Sequence, residues 1–383
     1  MTFLNSPNFL PRTNNIRLIK FAIGACLSVS VIMTWALIWG PNGTQKASIG
    51  ENITDSNTAT ALAEFIGQNT PKALTDNPVV SATLSPLSDA IQYYEAQTGK
   101  VFKVNLNTRR TETISDKRLA GFVRTFWAPD GQQVVSVFEE RDGLVLRYYN
   151  YATSQTTVIG KSAVSAAFSP DGRSLAFLDT GDSSLALIIG QPDGTESRKI
   201  MVTRSGNGII EWPQKDHLSL LTQRLDSAGR DLSLIGLNGS LQILLSNREN
   251  LEYAWSPNGQ KLLFSYFVTG KGVQLWYLDT TVGVPVSLNV PTSAAKCAWQ
   301  PGEQGVVCGI PSSDALTNDV PAAKTATLDS ISRIDLVSGA QNQIYNPQKG
   351  VLLGVGESLI SSSGTYFVFR NLFDQRLYSL PLN

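Results

Sequence analysis

A single histidine and three cysteines among 383 residues leave the chain short of the side chains that hold transition metals. Zinc sites draw three or four ligands from His, Cys and carboxylates, so most such centres are excluded and no cofactor is expected. Charge is scarce and balanced: Asp, Glu, Lys and Arg make up 16% of residues, with 31 basic against 31 acidic side chains. Without net charge there is no long-range field to recruit nucleic acid, and none is expected as a partner. Gly (31) and Pro (18) are well supplied. In a chain poor in charge, that mixture suits many short strands joined by tight turns.

One long apolar run stands apart. Phe21 to Trp39 is uncharged over nineteen residues and is followed by Gly40-Pro41. As a helix it reaches roughly 28 Å, close to the hydrocarbon thickness of a bilayer. Arg12, Arg17 and Lys20 precede it and no acidic residue occurs before Glu51. The positive-inside rule then places residues 1–20 in the cytoplasm, a transmembrane helix at 21–40, and everything later outside. Trp35 and Trp39 fall where an outer aromatic belt sits. A cleaved signal peptide needs small residues where this run ends Ala36-Leu37-Ile38-Trp39. Ile23-Gly24-Ala25-Cys26 resembles a lipoprotein cleavage box, but thirteen apolar or small residues follow it. Residues 41–70, rich in Asn, Thr, Ser and Ala, read as a linker.

The remainder, 71–383, repeats itself. Five segments share an aromatic, a Pro shortly after it, a turn and an alternating apolar strand. They are Trp127-Ala128-Pro129-Asp130-Gly131, Phe168-Ser169-Pro170-Asp171-Gly172, Trp212-Pro213, Trp255-Ser256-Pro257-Asn258-Gly259 and Trp299-Gln300-Pro301. Weaker copies begin at Leu84 and Ile360. The anchors are spaced by 43, 41, 44, 43 and 44 residues, then 61. Seven copies with a period near 43 predict an all-β, seven-bladed β-propeller of four-stranded blades, a to d. The anchor closes strand a; Pro-Asp-Gly makes the a–b turn, with Pro setting φ and Gly supplying positive φ.

These residues resemble the WD40-like repeats of TolB-type propellers, marked by an aromatic followed by Ser-Pro-Asp-Gly. The resemblance covers roughly 72–383 and implies the propeller fold. It departs from the TolB type in the expected membrane anchor, in the apparent seventh blade, and in leaving no room for an extra N-terminal α/β domain. A shared fold does not transfer function.

The spacing makes further expectations. The last copy ends at strand c, so residues 72–77 are expected to supply its strand d, pairing antiparallel with 375–382 and removing an exposed sheet edge. Cys297 and Cys308 flank the a–b turn of blade 6, with Trp299 opposite Val306, and are expected to form a disulfide in an oxidising exterior. An insertion of about seventeen residues runs from Pro311 to Leu328 in the same blade. Long loops on a regular scaffold are where specificity tends to be placed. The candidate binding loops are therefore this insertion, with Asp314 and Asp319, and the d–a connections holding Asp116, Lys117, Arg118, Arg248 and Glu252.

Catalytic signals are thin. His217 lies in strand b of the Trp212 blade, without a Gly-x-Ser-x-Gly elbow to serve. Glu139-Glu140 and Asp226 with Asp231 are placed in b–c loops, where solvation is their ordinary role. Asp130 and Asp171 are read as turn residues. Among six inner a strands only Glu211 is acidic, whereas a channel enzyme acting on carbohydrates or lactones needs carboxylates at several inner ends. The sequence therefore points to a noncatalytic, membrane-tethered extracytoplasmic module binding an envelope protein or cell-wall polymer, with the channel enzyme as the alternative. A reporter fused after Asn383 is expected to be active only outside the cytoplasm, and protease should release a fragment starting between 41 and 71; activity inside the cytoplasm reverses the topology.

Overall fold

The computed structural model describes residues 70–382, apart from 87, 162, 181–183, 205–206 and 313–325. The cytoplasmic segment, transmembrane helix and linker expected over residues 1–69 lie outside those residues. No helix among the described residues is long and apolar enough to cross a membrane.

Seven four-stranded antiparallel sheets form the seven blades of a β-propeller. Strand a of each blade, in order, is Val79–Leu84, Phe122–Trp127, Ala163–Phe168, Gly208–Gln214, Glu252–Trp255, Cys297–Trp299 and Val355–Ile360. In blades 1 to 6 the four strands follow in chain order. In blade 7 the outer place is taken by Lys72–Ala73, beside Leu377–Pro381. Antiparallel order puts the a–b and c–d turns on one face and the b–c and d–a connections on the other.

The repeated Pro and Gly have a structural reason that reaches from one blade to the next. Gly131, Gly172, Gly259 and Gly364 all have φ between 66° and 76°. Each donates its N–H three residues back, to Ala128, Ser169, Ser256 and Ser361 respectively. Each also lies against the a–b turn of the preceding blade. A Cβ on Gly259 would stand 2.1 Å from the Pro213 carbonyl oxygen, and one on Gly131 or Gly364 would stand 3.1 Å from Pro86 or Pro301. Only Gly supplies both the positive φ and the close approach. Asp130 and Asp171 accept N–H bonds from Gln132 (2.8 Å) and Arg173 (3.1 Å), the turn role read from the sequence. The anchor indoles reach backwards too. Trp127 Nε1 donates to the Ser81 carbonyl (2.7 Å), Trp255 Nε1 to Ser219 Oγ (3.0 Å) and Trp299 Nε1 to the Ala254 carbonyl (3.2 Å).

Between most blades the core is largely aliphatic. Blades 3 and 4 bury Leu178, Leu187, Ile210 and Leu220, and blades 5 and 6 bury Leu263, Leu275, Val306 and Ile334. Blades 6 and 7 meet over Val307, Val355, Phe367 and Leu380. At about 25 cal/mol per Å² of apolar surface, such seams supply most of the stability.

The closing strand is shorter than 72–77. Lys72 pairs with Ser379 and Ala73 with Tyr378. Leu74 still donates to the Leu377 carbonyl (2.7 Å), but Leu377 N–H goes to the Thr75 side chain (3.1 Å) and Thr75 Oγ1 bonds the Asn77 carbonyl (3.1 Å). The ladder stops there because the chain must turn to begin strand a at Val79. Cys297 lies opposite Cys308 and Trp299 opposite Val306. The two sulfurs are bonded, with Cα atoms 4.1 Å apart.

Removing residues 1–78 should lower the melting temperature by at least about 5 °C relative to removing 1–68, since it strips the closing strand and opens a sheet edge. Equal melting of the two truncations, followed by circular dichroism, would show that the ring does not depend on that strand.

Candidate functional site

The inner strands surround a central cavity of about 730 Å³. Small and apolar residues supply much of its wall, among them Val79, Ala82, Ala254, Ala294 and Leu359. Four charged side chains interrupt them: Arg124, Glu211, Glu357 and Arg370. The two arginines belong to blades 2 and 7, on either side of blade 1, while Glu211 belongs to blade 4.

Glu357 was missed by the sequence reading. It lies in strand a of blade 7, Val355–Ile360, whose anchor is aliphatic. Counting back from Ile360, as from each aromatic anchor, would have found it. Arg370, on the adjacent strand Tyr366–Asn371, pairs with it at 3.3 Å. Glu357 is thus held as a partnered carboxylate. The Arg124 guanidinium stacks over Phe126, 5.3 Å from the ring centroid, and burial lowers its affinity for its proton.

Glu211 differs. Burial in the channel wall pushes its carboxyl up to about 7, with the nearby Tyr253 pulling weakly the other way. The Tyr253 hydroxyl is buried and has no partner at ordinary hydrogen-bond distance and angle. Burial, and then the Glu211 charge, raise the Tyr253 phenol well above its usual range. Ser358 Oγ and Arg370 Nε are also buried without partners, so three orphan polar atoms lie in or beside the channel wall. A carboxyl near neutrality can exchange protons, but the second carboxylate is committed to an arginine. No group of three His, Cys, Asp or Glu converges among the described residues.

The other candidates scatter. His217 opens strand b of blade 4, His217–Gln223, exposed at the a–b turn and far from the channel. Glu139 and Glu140 are the last residues of a strand, Gln133–Glu140, rather than loop residues, because strand b pairs with strand c up to Glu140 opposite Gly143. Asp226 lies in a loop, but Asp231 belongs to strand c, Gly229–Gly236, and Arg224 bridges the two at 2.7 and 3.2 Å. The d–a placement of Arg248 and Glu252 also needs correcting. Strand d of blade 4 runs to Glu249 and strand a of blade 5 begins at Glu252, so only Asn250 and Leu251 connect them. Arg248 stacks over Tyr266, 4.7 Å from its centroid. Asp116, Lys117 and Arg118 do lie in a connection, between Thr111–Ser115 and Phe122–Trp127. Asp314 and Asp319 lie outside the described residues.

The roots of the 311–328 insertion carry a network that no sequence signal announced. Lys296 and Asp329 are both fully buried and paired at 2.7 Å. Lys296 Nζ also donates to Thr327 Oγ1 (2.6 Å), Thr327 donates to the other Asp329 oxygen (2.6 Å), and Val355 N–H donates to Asp329 (2.7 Å). Burial lowers the Lys296 ammonium and raises the Asp329 carboxyl, each opposed by the other's charge. Ser293, which caps the turn before Lys296, hydrogen-bonds Glu252. Glu252 is thereby drawn to the insertion's root, whereas Lys117 and Arg118 stand elsewhere on the ring.

No family model matches the sequence, and no curated protein matches it significantly. Solved structures do match. An oligogalacturonate lyase in complex with manganese overlays with a TM-score of 0.60 at 14% identity, covering 82% of this chain and 93% of that one. The β-propeller domain of Myceliophteria thermophila Cps50 (Swd1) gives 0.55 at 11% identity, covering 82% and 100%. TolB from Acinetobacter baumannii gives 0.46 at 14%, covering 85% and 68%. The likeness is one of fold, the β-propeller, and at such identities no activity comes with it.

The channel carboxyl makes a pH prediction. Its folded pKa lies above the unfolded value of 4.5, so ionising it costs stability as pH rises from about 4.5 through about 7. Glu211→Gln should be more stable than the native chain at pH 8, by as much as about 3 kcal/mol. The difference should vanish near pH 4. A pH-independent difference in denaturant midpoints would show that Glu211 is an ordinary solvated carboxylate.

Proposed function

We propose that the chain is a noncatalytic propeller, tethered to a membrane and facing outside the cytoplasm, that presents its b–c and d–a face to an envelope protein or cell-wall polymer. The observation that carries this reading is the Lys296–Asp329–Thr327 network. Burying an ion pair is seldom a route to stability, because desolvation offsets much of the attraction; its best-attested use is to fix one arrangement among several. Here it holds Asp329, where the insertion rejoins the sheet opposite Pro311, with Val355 of the next blade tied to the same carboxylate. A scaffold that pins the roots of one long loop in this way is suited to presenting that loop.

The tether fits this orientation. Lys72 pairs with Ser379 and Ala73 with Tyr378, so the chain enters the closing strand from the a–b turn face. About thirty linker residues reach roughly 30 Å, enough to leave the opposite face available to a partner. One observation favours the channel enzyme as a second reading: the Glu211 carboxyl, poised near neutrality.

The two readings separate in one experiment. Replacing 312–326 with a short Gly-containing turn should leave the melting temperature within about 2 °C and abolish capture of the partner from crosslinked envelopes, whereas Glu211→Gln should leave capture intact. Capture that survives the replacement but is lost on changing the Pro-Asp-Gly face places the working surface on the other side.

A further inference from the structure

Six of the seven seams between blades are filled by clusters of mostly aliphatic buried side chains. The seam between blades 1 and 2 has no such cluster among the described residues. It buries the aliphatic side chains Val101 and Val134, and otherwise aromatic rings take over. Tyr94 stacks on Phe122 with centroids 4.6 Å apart and leans on Trp127 at 5.4 Å; Trp127 stacks on Tyr151 at 6.1 Å, and Tyr149 meets Tyr151 edge-on at 4.9 Å. The rings do not fill the space. A cavity of about 330 Å³ remains, at the small end of the roughly 300–1,000 Å³ of ligand pockets.

Its wall is chemically mixed. Phe138, Tyr149 and Tyr151 offer ring surface; Ser115 and Thr156 offer hydroxyls. The Tyr94 and Tyr151 hydroxyls bond each other at 2.7 Å. Lys117, Arg118 and Arg147 line it against a single carboxylate, Glu140, and that carboxylate is already paired with Arg147. Lys117 and Arg118 are exposed, with no side-chain partner among the described residues. Their loop is held in place by backbone bonds to both blades: Leu119 N–H to the Thr98 carbonyl (3.0 Å) and Glu139 N–H to the Gly121 carbonyl (2.7 Å).

We propose that this seam is a binding site for a small ring-bearing anion, its ring laid against Tyr149 and Phe138 and its acidic group taken by Lys117 and Arg118. An aromatic floor suits an aryl ring by stacking and a sugar ring by its apolar face. Two unpaired cations at the mouth select the acid over its neutral counterpart. The site uses the d–a connection between blades 1 and 2, on the face argued above to meet the partner, but no residue of the 311–328 insertion, so its test is separate from partner capture.

Calorimetric titration of the full-length chain in detergent tests this with 4-hydroxybenzoate and glucuronate, against 4-hydroxybenzamide and glucose. One of the acids should bind saturably, more weakly as salt rises, and its neutral partner should not; which acid binds assigns an aryl or a sugar ligand. The double variant Lys117→Gln/Arg118→Gln should weaken binding at least tenfold, and Ala120→Phe, at the cavity wall, should abolish it, both without change in melting temperature. Absence of saturable binding by either acid, equal binding of acid and neutral forms, or binding unchanged in both variants overturns the proposal.

Discussion

Each blade is a small twisted sheet with two apolar faces, and neither face is covered by anything the blade itself contains. Blade 3 illustrates the dependence: Phe177 packs towards blade 2 while Leu178, the next residue, packs towards blade 4. Alternation along a strand therefore sends successive side chains to different neighbours. Burial is complete only when seven such units close on one another, so the contact between adjacent blades is the constraint from which the rest follows. The Pro and Gly of the a–b turns belong to the same constraint, since the Gly of one turn accommodates the turn of the blade before it.

A ring built this way has one vulnerable place, where the strand at Lys72–Ala73 meets Leu377–Pro381. There a two-residue strand and a handful of side-chain bonds stand in for a full ladder. Arg109 reinforces the join from blade 1, donating to the Ala73 carbonyl (3.3 Å) and to Ser379 Oγ (3.2 Å). Blade 6 is reinforced differently, by the Cys297–Cys308 bridge across its first hairpin and by the buried ion pair just beside it. Both devices lie next to the insertion, where a long excursion between strands b and c would otherwise loosen the sheet.

The channel and the blade 1–2 seam show two ways in which a close-packed propeller leaves room for chemistry. In the channel, small side chains leave space that a few charged groups enter. In the seam, rings too large to interdigitate as aliphatics do leave a gap between them. The first site holds a carboxyl displaced from its ordinary titration range by burial. The second holds cations exposed at a mouth, with the carboxylate of its wall, Glu140, paired to Arg147.

Periodicity along the chain was enough to determine the architecture. Turn chemistry and aromatic anchors recur at a spacing set by four strands, and both are local properties that each repeat carries within itself. The disulfide register was legible for the same reason: Cys297 and Cys308 belong to one hairpin, and a hairpin's register follows from its turn. The closing strand was legible in place but not in length, because the ladder ends where the chain must bend towards Val79, a demand of the ring rather than of the segment. Glu357 escaped because its blade lacks the aromatic anchor used for counting. The Lys296–Asp329 pair and the aromatic seam could not be read at all. Their members lie 33 residues apart in the first case, and 57 apart between Tyr94 and Tyr151 in the second. What joins them is the packing of one strand or blade on the next, which no local pattern encodes; only the tertiary structure decides which side chains share a seam.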